Sequence, residues 1–131
     1  MTDNTFEYLL IQHCSPTLAG IKTANLFSCN NSEIICNSNF LNEWNKILNQ
    51  KDIYIIILYN YSKSSLLLVY RRSRLKIDLL KKDIRSFLKL RGYDNSNNSD
   101  DDIKHLKTRL EIYNKLFYNE FPHEIGLFLS Y

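Results

Sequence analysis

The residues best suited to chemistry form two pairs near opposite ends of the chain, His13-Cys14 and His123-Glu124. A cysteine attacks as its thiolate, and a nearby imidazole can remove the thiol proton. The Ser15-Pro16 dipeptide predicts a helix start, since serine is a good N-cap and proline fits the first turn. The positive end of that helix would lower the pKa of Cys14. One hypothesis is therefore a small enzyme, or a metal- or cofactor-binding protein, in which both pairs form one site.

Three features weaken this catalytic hypothesis. No aspartate or asparagine can be assigned to orient a histidine, and no glycine-rich loop is present to stabilise an oxyanion. The cysteines, Cys14, Cys29 and Cys36, match no zinc-binding spacing, and His13 is awkwardly adjacent to Cys14 for joint coordination. The simpler interpretation makes Cys14 a small buried residue, with His13 and His123 hydrogen-bonded around the helix end. We therefore expect no catalytic site, no metal and no cofactor.

The second candidate functional feature is a basic segment between residues 71 and 91. Its only acidic residues are Asp78 and Asp83. Lys82, Arg85 and Lys89 are three and four residues apart, so they share one face of a predicted helix. That face could bind the phosphates of RNA or DNA, bind an acidic protein, or simply face solvent. The candidate partner-binding residues are Arg71, Arg72, Arg74, Lys81, Lys82, Arg85 and Lys89.

The clearest structural element is a β-hairpin over about residues 53–61 and 66–72. Its first strand, Ile53 to Tyr59, is almost continuously apolar and rich in isoleucine, which is typical of a strand covered on both faces. A polar turn follows at residues 62–65, and Leu66 to Tyr70 returns. The predicted fold is α+β, with a small antiparallel sheet centred on this hairpin and covered by about four helices.

Two helices and one ambiguous segment precede the hairpin. Phe6 to Gln12 is apolar but too short to assign as helix or strand, and as a strand it would join the sheet. A short helix is predicted from Ser15 to about Ala24. A polar loop from Cys29 to Asn39 leads to a helix over about Asn39 to Asn49, in which apolar residues recur at helical spacing.

Helices also follow the hairpin. One is predicted from about Arg74 to Leu90, with its apolar stripe buried and Gly92 as its stop. After a polar loop, Ser99 and three aspartates predict another helix start. Pro122 to Glu124 should open a last short helix. The stripe of the helix after Ser99 is interpreted as core, with a partner-binding seam as the alternative, and comprises Ile103, Leu106, Leu110, Tyr113 and Phe117.

The composition is that of one folded domain over residues 1–131. Hydrophobic residues make up 44% and charged residues 24%, and the formal net charge is +3. No basic segment followed by an apolar one is seen near the amino terminus. The apolar run from Ile53 to Tyr59 is far below the roughly 20 residues that span a bilayer. The odd number of cysteines, without a C-x-x-C pair, indicates a reducing compartment, so we expect a cytoplasmic protein without a membrane segment.

Three blocks spread along the chain form a recognisable pattern. They read HCSPTLAGIKTANLF from His13 to Phe27, YRRSRLKIDL from Tyr70 to Leu79, and EFPHEIGLFLSY from Glu120 to Tyr131. In this order they resemble the bacterial family known as domain of unknown function 3793. Ser130 stands where that family tends to have glycine, and its members usually continue into a cysteine-bearing region after the last block. The resemblance implies a compact α/β fold and no particular reaction.

Taken together, these features favour a non-catalytic interaction module over an enzyme. The incomplete catalytic set, the absence of the family's cysteine-bearing region and the basic helix all favour binding. We expect a protein or ribonucleoprotein partner, with nucleic acid as another candidate. Such a module could be an adaptor, or a mobile-element inhibitor that binds a nuclease or nucleoprotein. The sequence leaves the oligomeric state open.

Overall fold

The computed structural model describes residues 3–30, 38–61, 63–94, 98–116 and 121–129. The elements, in chain order, are α1 (Asp3–Leu18), β1 (Ala24–Asn30), α2 (Ser38–Leu48), a 3-10 turn (Asn49–Lys51), β2 (Ile53–Asn60), β3 (Ser64–Arg71), α3 (Arg72–Leu80), α4 (Lys82–Leu90), α5 (Ser99–Leu116) and α6 (Ile125–Phe128). The strands form one antiparallel sheet in the order β1-β3-β2. The predicted α+β class is confirmed.

The predicted hairpin is the pair β2 and β3. Ile55 lies opposite Val69, and a bulge next to Leu58 shifts the register near the turn. The third strand, β1, was not predicted, although its Leu26 lies opposite Leu68 of β3. Strand β3 is therefore the central strand, hydrogen-bonded on both sides.

The alternating side chains of β3 divide the interior into two cores. Leu67 and Val69 pack with the apolar residues of α1 and α2 on one face of the sheet. Leu66, Leu68 and Tyr70 pack with α3, α4, α5 and α6 on the other. Because both faces are covered, β3 carries apolar residues at successive positions.

The amino-terminal region differs from its prediction. Residues Phe6, Leu10 and Cys14 lie four apart on one buried face of α1, each no more than 2% exposed. The helix therefore continues through Pro16, so a helix start at Ser15 is wrong, and so is the strand alternative for Phe6 to Gln12. The predicted helix from Ser15 to Ala24 is instead the end of α1 and a turn through Gly20.

The predicted helix from Arg74 to Leu90 is two helices. Lys81 adopts an extended ψ of 138° between α3 and α4, which breaks the helical hydrogen bonding and changes the direction of the chain. Leu80, predicted as buried, is consequently 38% exposed, whereas Leu88 is fully buried. Gly92, at φ +86°, follows α4 in the left-handed conformation that glycine adopts without strain, so the predicted stop is confirmed.

The helix predicted after residue 99 is α5. Its cap is Asn98, one residue earlier than expected, whose side-chain oxygen accepts a hydrogen bond from Asp100 N at 2.9 Å. Ile103, Leu106 and Leu110 are buried in the core, and Phe117 lies outside the described residues. The helices predicted over residues 39–49 and after Glu124 are α2 and α6. Most of the predicted loop between residues 29 and 39 also lies outside the described residues.

A side chain of helix α2 takes the place of a neighbouring strand at the outer edge of β2. The Asn45 side chain accepts a hydrogen bond from Ile55 N at 2.8 Å and donates one to Ile55 O at 3.0 Å. A carboxamide presents an acceptor and a donor side by side, as an adjacent strand does. Asn45 thus satisfies both backbone groups of a residue that is only 2% exposed.

Replacing Asn45 with alanine should destabilise the protein by about 1–3 kcal/mol, because the buried backbone groups of Ile55 lose both partners. The free energy of unfolding, measured in urea, checks this. Asn42→Ala, on the exposed side of the same helix, is the matched control and brings the same gain in helix propensity. Equal stability of the two variants would show that the Asn45 contacts contribute nothing.

Candidate functional site

The first two sequence blocks meet where α1 ends. Arg71 donates from Nε to Thr17 O and from Nη2 to Leu18 O, both at 2.8 Å. Arg74 donates to Gly20 O at 2.6 Å and to Ile21 O at 3.2 Å. The last carbonyls of a helix have no partner within it, and Arg71 supplies one, whereas Arg74 binds carbonyls of the turn that follows α1. Both guanidinium groups therefore bind backbone groups of the same molecule, although Arg74 is an exposed residue.

A second contact strengthens the same junction. Thr23 Oγ1 donates to Asp78 Oδ2 of α3 at 2.5 Å, and Thr23 O accepts from Arg71 N at 2.9 Å. Thr23 is fully buried. The two blocks thus meet in one contact region, between the turn after α1 and the segment from Arg71 to Asp78.

Arg72, between these two arginines in the sequence, is exposed and makes different contacts. It forms an ion pair with Asp100 of α5 at 2.8 Å, and its guanidinium lies 5.5 Å from the ring centre of Tyr54. Both side chains of the ion pair are about half exposed, so the pair contributes little to stability. It places Arg72 at a polar cleft of about 630 Å³ between the starts of α3 and α5.

The carboxylate of Asp52 lines this cleft. The Asp52 carboxylate accepts hydrogen bonds from Ser73 N at 3.1 Å and Ser73 Oγ at 3.0 Å, which caps the start of α3. Asp52 reaches this position with φ at +66°. Its charge offsets that of the cations around the cleft, Arg72 and Lys76.

Arg85 does not lie on the exposed face that was predicted for it. Its Nη1 forms an ion pair with Asp102 Oδ2 at 2.7 Å, and its Nη2 donates to Asp94 O. The Arg85 side chain is 11% exposed and that of Asp102 is 3% exposed. Burial raises the pKa of Asp102 in spite of the neighbouring guanidinium. Arg85 lies three residues before the fully buried Leu88, so it borders the buried face of α4 and its long side chain reaches Asp102 of α5.

The lysines of the basic segment stay on the surface. Lys81 lies 3.7 Å from Asp78 and is 62% exposed, whereas Lys82 and Lys89 are exposed and form no ion pair with a described residue. Large aliphatic side chains are exposed on the same two helices. We define the α3–α4 surface as Ile77, Leu80, Lys81, Lys82, Lys89 and Leu90.

Glu124, from the third block, is the centre of a buried charge cluster. Its carboxylate is fully buried and accepts hydrogen bonds from Arg109 Nε and, at 3.1 Å, from Arg109 Nη2. Tyr93 donates to Glu124 Oε2 at 3.0 Å, and Arg91 Nε lies 3.9 Å from Glu124 Oε1. The contacts join the start of α6 to α5 and to the chain just after α4.

The electrostatics of this cluster favour a structural role for the carboxylate. Burial opposes ionisation of Glu124, but the hydrogen bonds from Arg109 and Tyr93 outweigh it and lower the pKa of the carboxyl group. Burial and the adjacent carboxylate raise the pKa of the Tyr93 hydroxyl, whose ring also packs 4.4 Å from that of His105. A carboxylate with a lowered pKa and several bound donors is a poor proton acceptor.

The structure does not bring His13-Cys14 and His123-Glu124 together. Cys14 is buried with α1 and α2 on one face of the sheet, whereas Tyr93, which binds Glu124, is buried on the other. His13 is exposed and stacks on Phe27 with ring centres 5.3 Å apart, and His123 is exposed. No single site can include both pairs in this arrangement.

The environment of Cys14 differs from the one that the nucleophile hypothesis requires. Cys14 lies in the fourth turn of α1, far from the helix start, so the helix dipole does not favour a thiolate. Burial raises the pKa of the thiol to about 12, and the charge of Lys22 only partly opposes this. Its surroundings are those of a packed hydrophobic residue.

Sequence reasoning missed the partners of the buried acids. Arg109 and Tyr93 lie 15 and 31 residues from Glu124, and Arg85 lies 17 residues from Asp102, so no local pattern links them. One indirect signal was available. Arg109 is beside the apolar stripe of α5, where an unpaired cation would be costly.

The described residues contain neither a membrane-spanning helix nor a cluster of metal-binding side chains. None of the described helices has both the length and the apolar character needed to cross a membrane. Within the same residues, His, Cys, Asp and Glu side chains nowhere cluster in threes as a metal site would need. Cys36 lies outside the described part of the chain.

Fold and site together define a small α+β protein whose three sequence blocks are held by internal arginine contacts. A family model described as "Protein of unknown function (DUF3793)" matches residues 10–131. The chain therefore belongs to this family, which confirms the resemblance seen in the sequence. No curated protein and no solved structure matches it.

Glu124→Gln should destabilise the protein by about 3–5 kcal/mol at neutral pH, because the arginines around it lose their counter-charge within a buried site. Urea unfolding of the two proteins measures this. Glu111→Gln, at an exposed position of α5, is the matched control and should differ little from wild type.

The difference in unfolding free energy between wild type and Glu124→Gln should depend on pH. The lowered folded-state pKa means that the Glu124 contribution is complete above the ordinary glutamate value of roughly 4.3, and is lost as pH falls through the folded-state value. The stability difference between wild type and Glu124→Gln should therefore shrink in acid. A difference that is constant with pH would contradict the assignment of an ionised Glu124.

Cys14 should resist alkylation by iodoacetamide near neutral pH while the protein is folded, because its thiol is buried and its pKa is raised. Mass spectrometry of peptides that contain Cys14, before and after unfolding in guanidinium, measures the rate. Rapid modification of the folded protein would revive the nucleophile hypothesis.

Proposed function

We propose that this protein is a non-catalytic interaction module that binds a protein or ribonucleoprotein partner through the α3–α4 surface. The observation that carries this proposal is the separation of the basic segment into two groups. Its arginines at 71, 74 and 85 bind groups within the molecule, whereas the lysines at 81, 82 and 89 remain exposed beside exposed aliphatic residues.

The state of the candidate catalytic residues supports binding over catalysis. Glu124 is saturated by Arg109 and Tyr93, and the Cys14 thiol is buried with a raised pKa. Both side chains are fully buried in the part of the chain that the structure describes. These residues therefore support the fold. We assign the binding function to the α3–α4 surface instead.

Two biological forms of the proposal use the same surface. The module acts as an adaptor between other components, or as a mobile-element inhibitor that covers a nuclease or nucleoprotein. In both forms we place the protein in the cytoplasm, as its cysteine content favours. Both forms require that loss of the exposed positive charge abolishes binding.

The test is capture of partners from lysate of the source host. The tagged full-length protein and the variant Lys81→Glu/Lys82→Glu/Lys89→Glu are each incubated with lysate, with and without ribonuclease, and bound species are identified by mass spectrometry and RNA sequencing. We expect one stoichiometric partner, with binding to the purified partner reduced about tenfold or more in the variant.

The control variant carries the same charge change elsewhere, as Lys51→Glu/Lys63→Glu/Lys104→Glu. These three lysines are also exposed and lie outside α3 and α4. Thermal unfolding must show both variants folded. Retained binding by the first variant, equal loss in both variants, or no partner with the wild-type protein would each overturn the proposal.

A further inference from the structure

We infer that the α3–α4 surface recognises a protein segment in which carboxylates flank aliphatic side chains, such as an acidic amphipathic helix. This inference rests on the proposed binding function and deepens it. It assigns the chemistry of the partner, which the exposed lysines alone leave open between protein, nucleic acid and membrane.

The aliphatic residues of this surface are the first argument. Ile77 is 64% exposed, Leu80 is 38% exposed and Leu90 is 85% exposed, although each is large enough to gain from burial. Lys81 and Lys82 directly follow Leu80 in the sequence. Phosphates would neutralise the lysines but leave the aliphatic groups in water, whereas an amphipathic protein segment covers both.

The groups that favour nucleic acid are absent from this surface. Arginine binds phosphate with two parallel hydrogen bonds, but Arg74 and Arg85 use their guanidinium groups inside the molecule. Stacking of unpaired bases needs an accessible ring. Phe87, the aromatic residue of α3 and α4, is half-buried and lies under the Arg91 guanidinium at 3.5 Å.

The arrangement also suits a membrane poorly. An interfacial helix presents an uninterrupted apolar face toward the acyl chains. Helices α3 and α4 have nine residues each and are separated at Lys81. Asp83 and Ser86 are exposed between the lysines of α4, so polar and charged groups interrupt its outer side before Leu90.

The spacing of the lysines indicates the shape of the partner. Lys82 and Lys89 are two turns apart on α4, which corresponds to about 10 Å along the helix axis. Glutamates at positions i and i+7 of a partner helix have the same separation. Aliphatic residues between those glutamates, at helical spacing, would then reach Leu80 and Ile77.

The test uses four defined probes and nuclear magnetic resonance of the labelled full-length protein. The first probe is a designed helical peptide with glutamates at i and i+7 and leucines on the same face. The second replaces each leucine with serine at constant charge. The third is an oligouridine, and the fourth is a vesicle of phosphatidylcholine and phosphatidylglycerol.

The leucine peptide should shift the amide signals of Ile77, Leu80 and Lys82, and should bind about tenfold more tightly than the serine peptide. The variant Ile77→Ser/Leu80→Ser should lose this advantage with its charge unchanged. Ile11→Ser/Ile47→Ser is the matched control, since these residues are 53% and 64% exposed on helices of the opposite face. The control should retain tight binding.

Several results would overturn the inference. They are tighter binding of the oligouridine or the vesicle at this surface, equal binding of the two peptides, and no binding by any probe. Capture from lysate that depends on Lys81, Lys82 and Lys89 but survives Ile77→Ser/Leu80→Ser would also overturn it, while leaving the proposed binding function intact. Failure of lysate capture itself concerns that function, so the two failures are distinguishable.

Discussion

The sheet of this protein must be covered on both faces, because its central strand is apolar on both. Residues 66 to 70 of β3 are each no more than 4% exposed, and they alternate between the two cores. The sequence has to provide helices before and after the hairpin to meet this requirement. Helices α1 and α2 cover one face, and α3 to α6 cover the other. The contacts of the charged residues follow from where these helices meet.

Arginine and lysine have separate roles in this molecule. Arg71, Arg74, Arg85 and Arg109 each join two elements that are distant in the chain, by binding backbone carbonyls or buried carboxylates. The planar guanidinium with its several donors suits such contacts, whereas the ammonium of lysine is more strongly hydrated. The positive net charge thus has two parts: arginines that bind groups of the same molecule, and exposed lysines together with the half-exposed Arg72.

The sequence predicted the elements whose signals are local. The hairpin, α2 and the start of α5 carry strong patterns within about ten residues, and all three were found. Strand β1 was missed because its pattern becomes meaningful only beside β3, about 40 residues later. The continuation of α1 through Pro16 was missed because the buried stripe outweighs the local break signal. The Glu124 cluster depends on tertiary packing alone, so residue types near it could not reveal it.

The hydrogen bonds between Asn45 and Ile55 also affect whether the edge of β2 can pair with another copy of the protein. An uncovered strand edge is a template for the edge of another molecule, and β2 is rich in isoleucine with no charge between Ile53 and Asn60. While α2 is docked, the carboxamide occupies the backbone groups at the centre of that edge. Local detachment of α2 would free them. We therefore expect the docking of this eleven-residue helix to protect the β2 edge, one of the two edges of the sheet, from pairing with another copy of the chain.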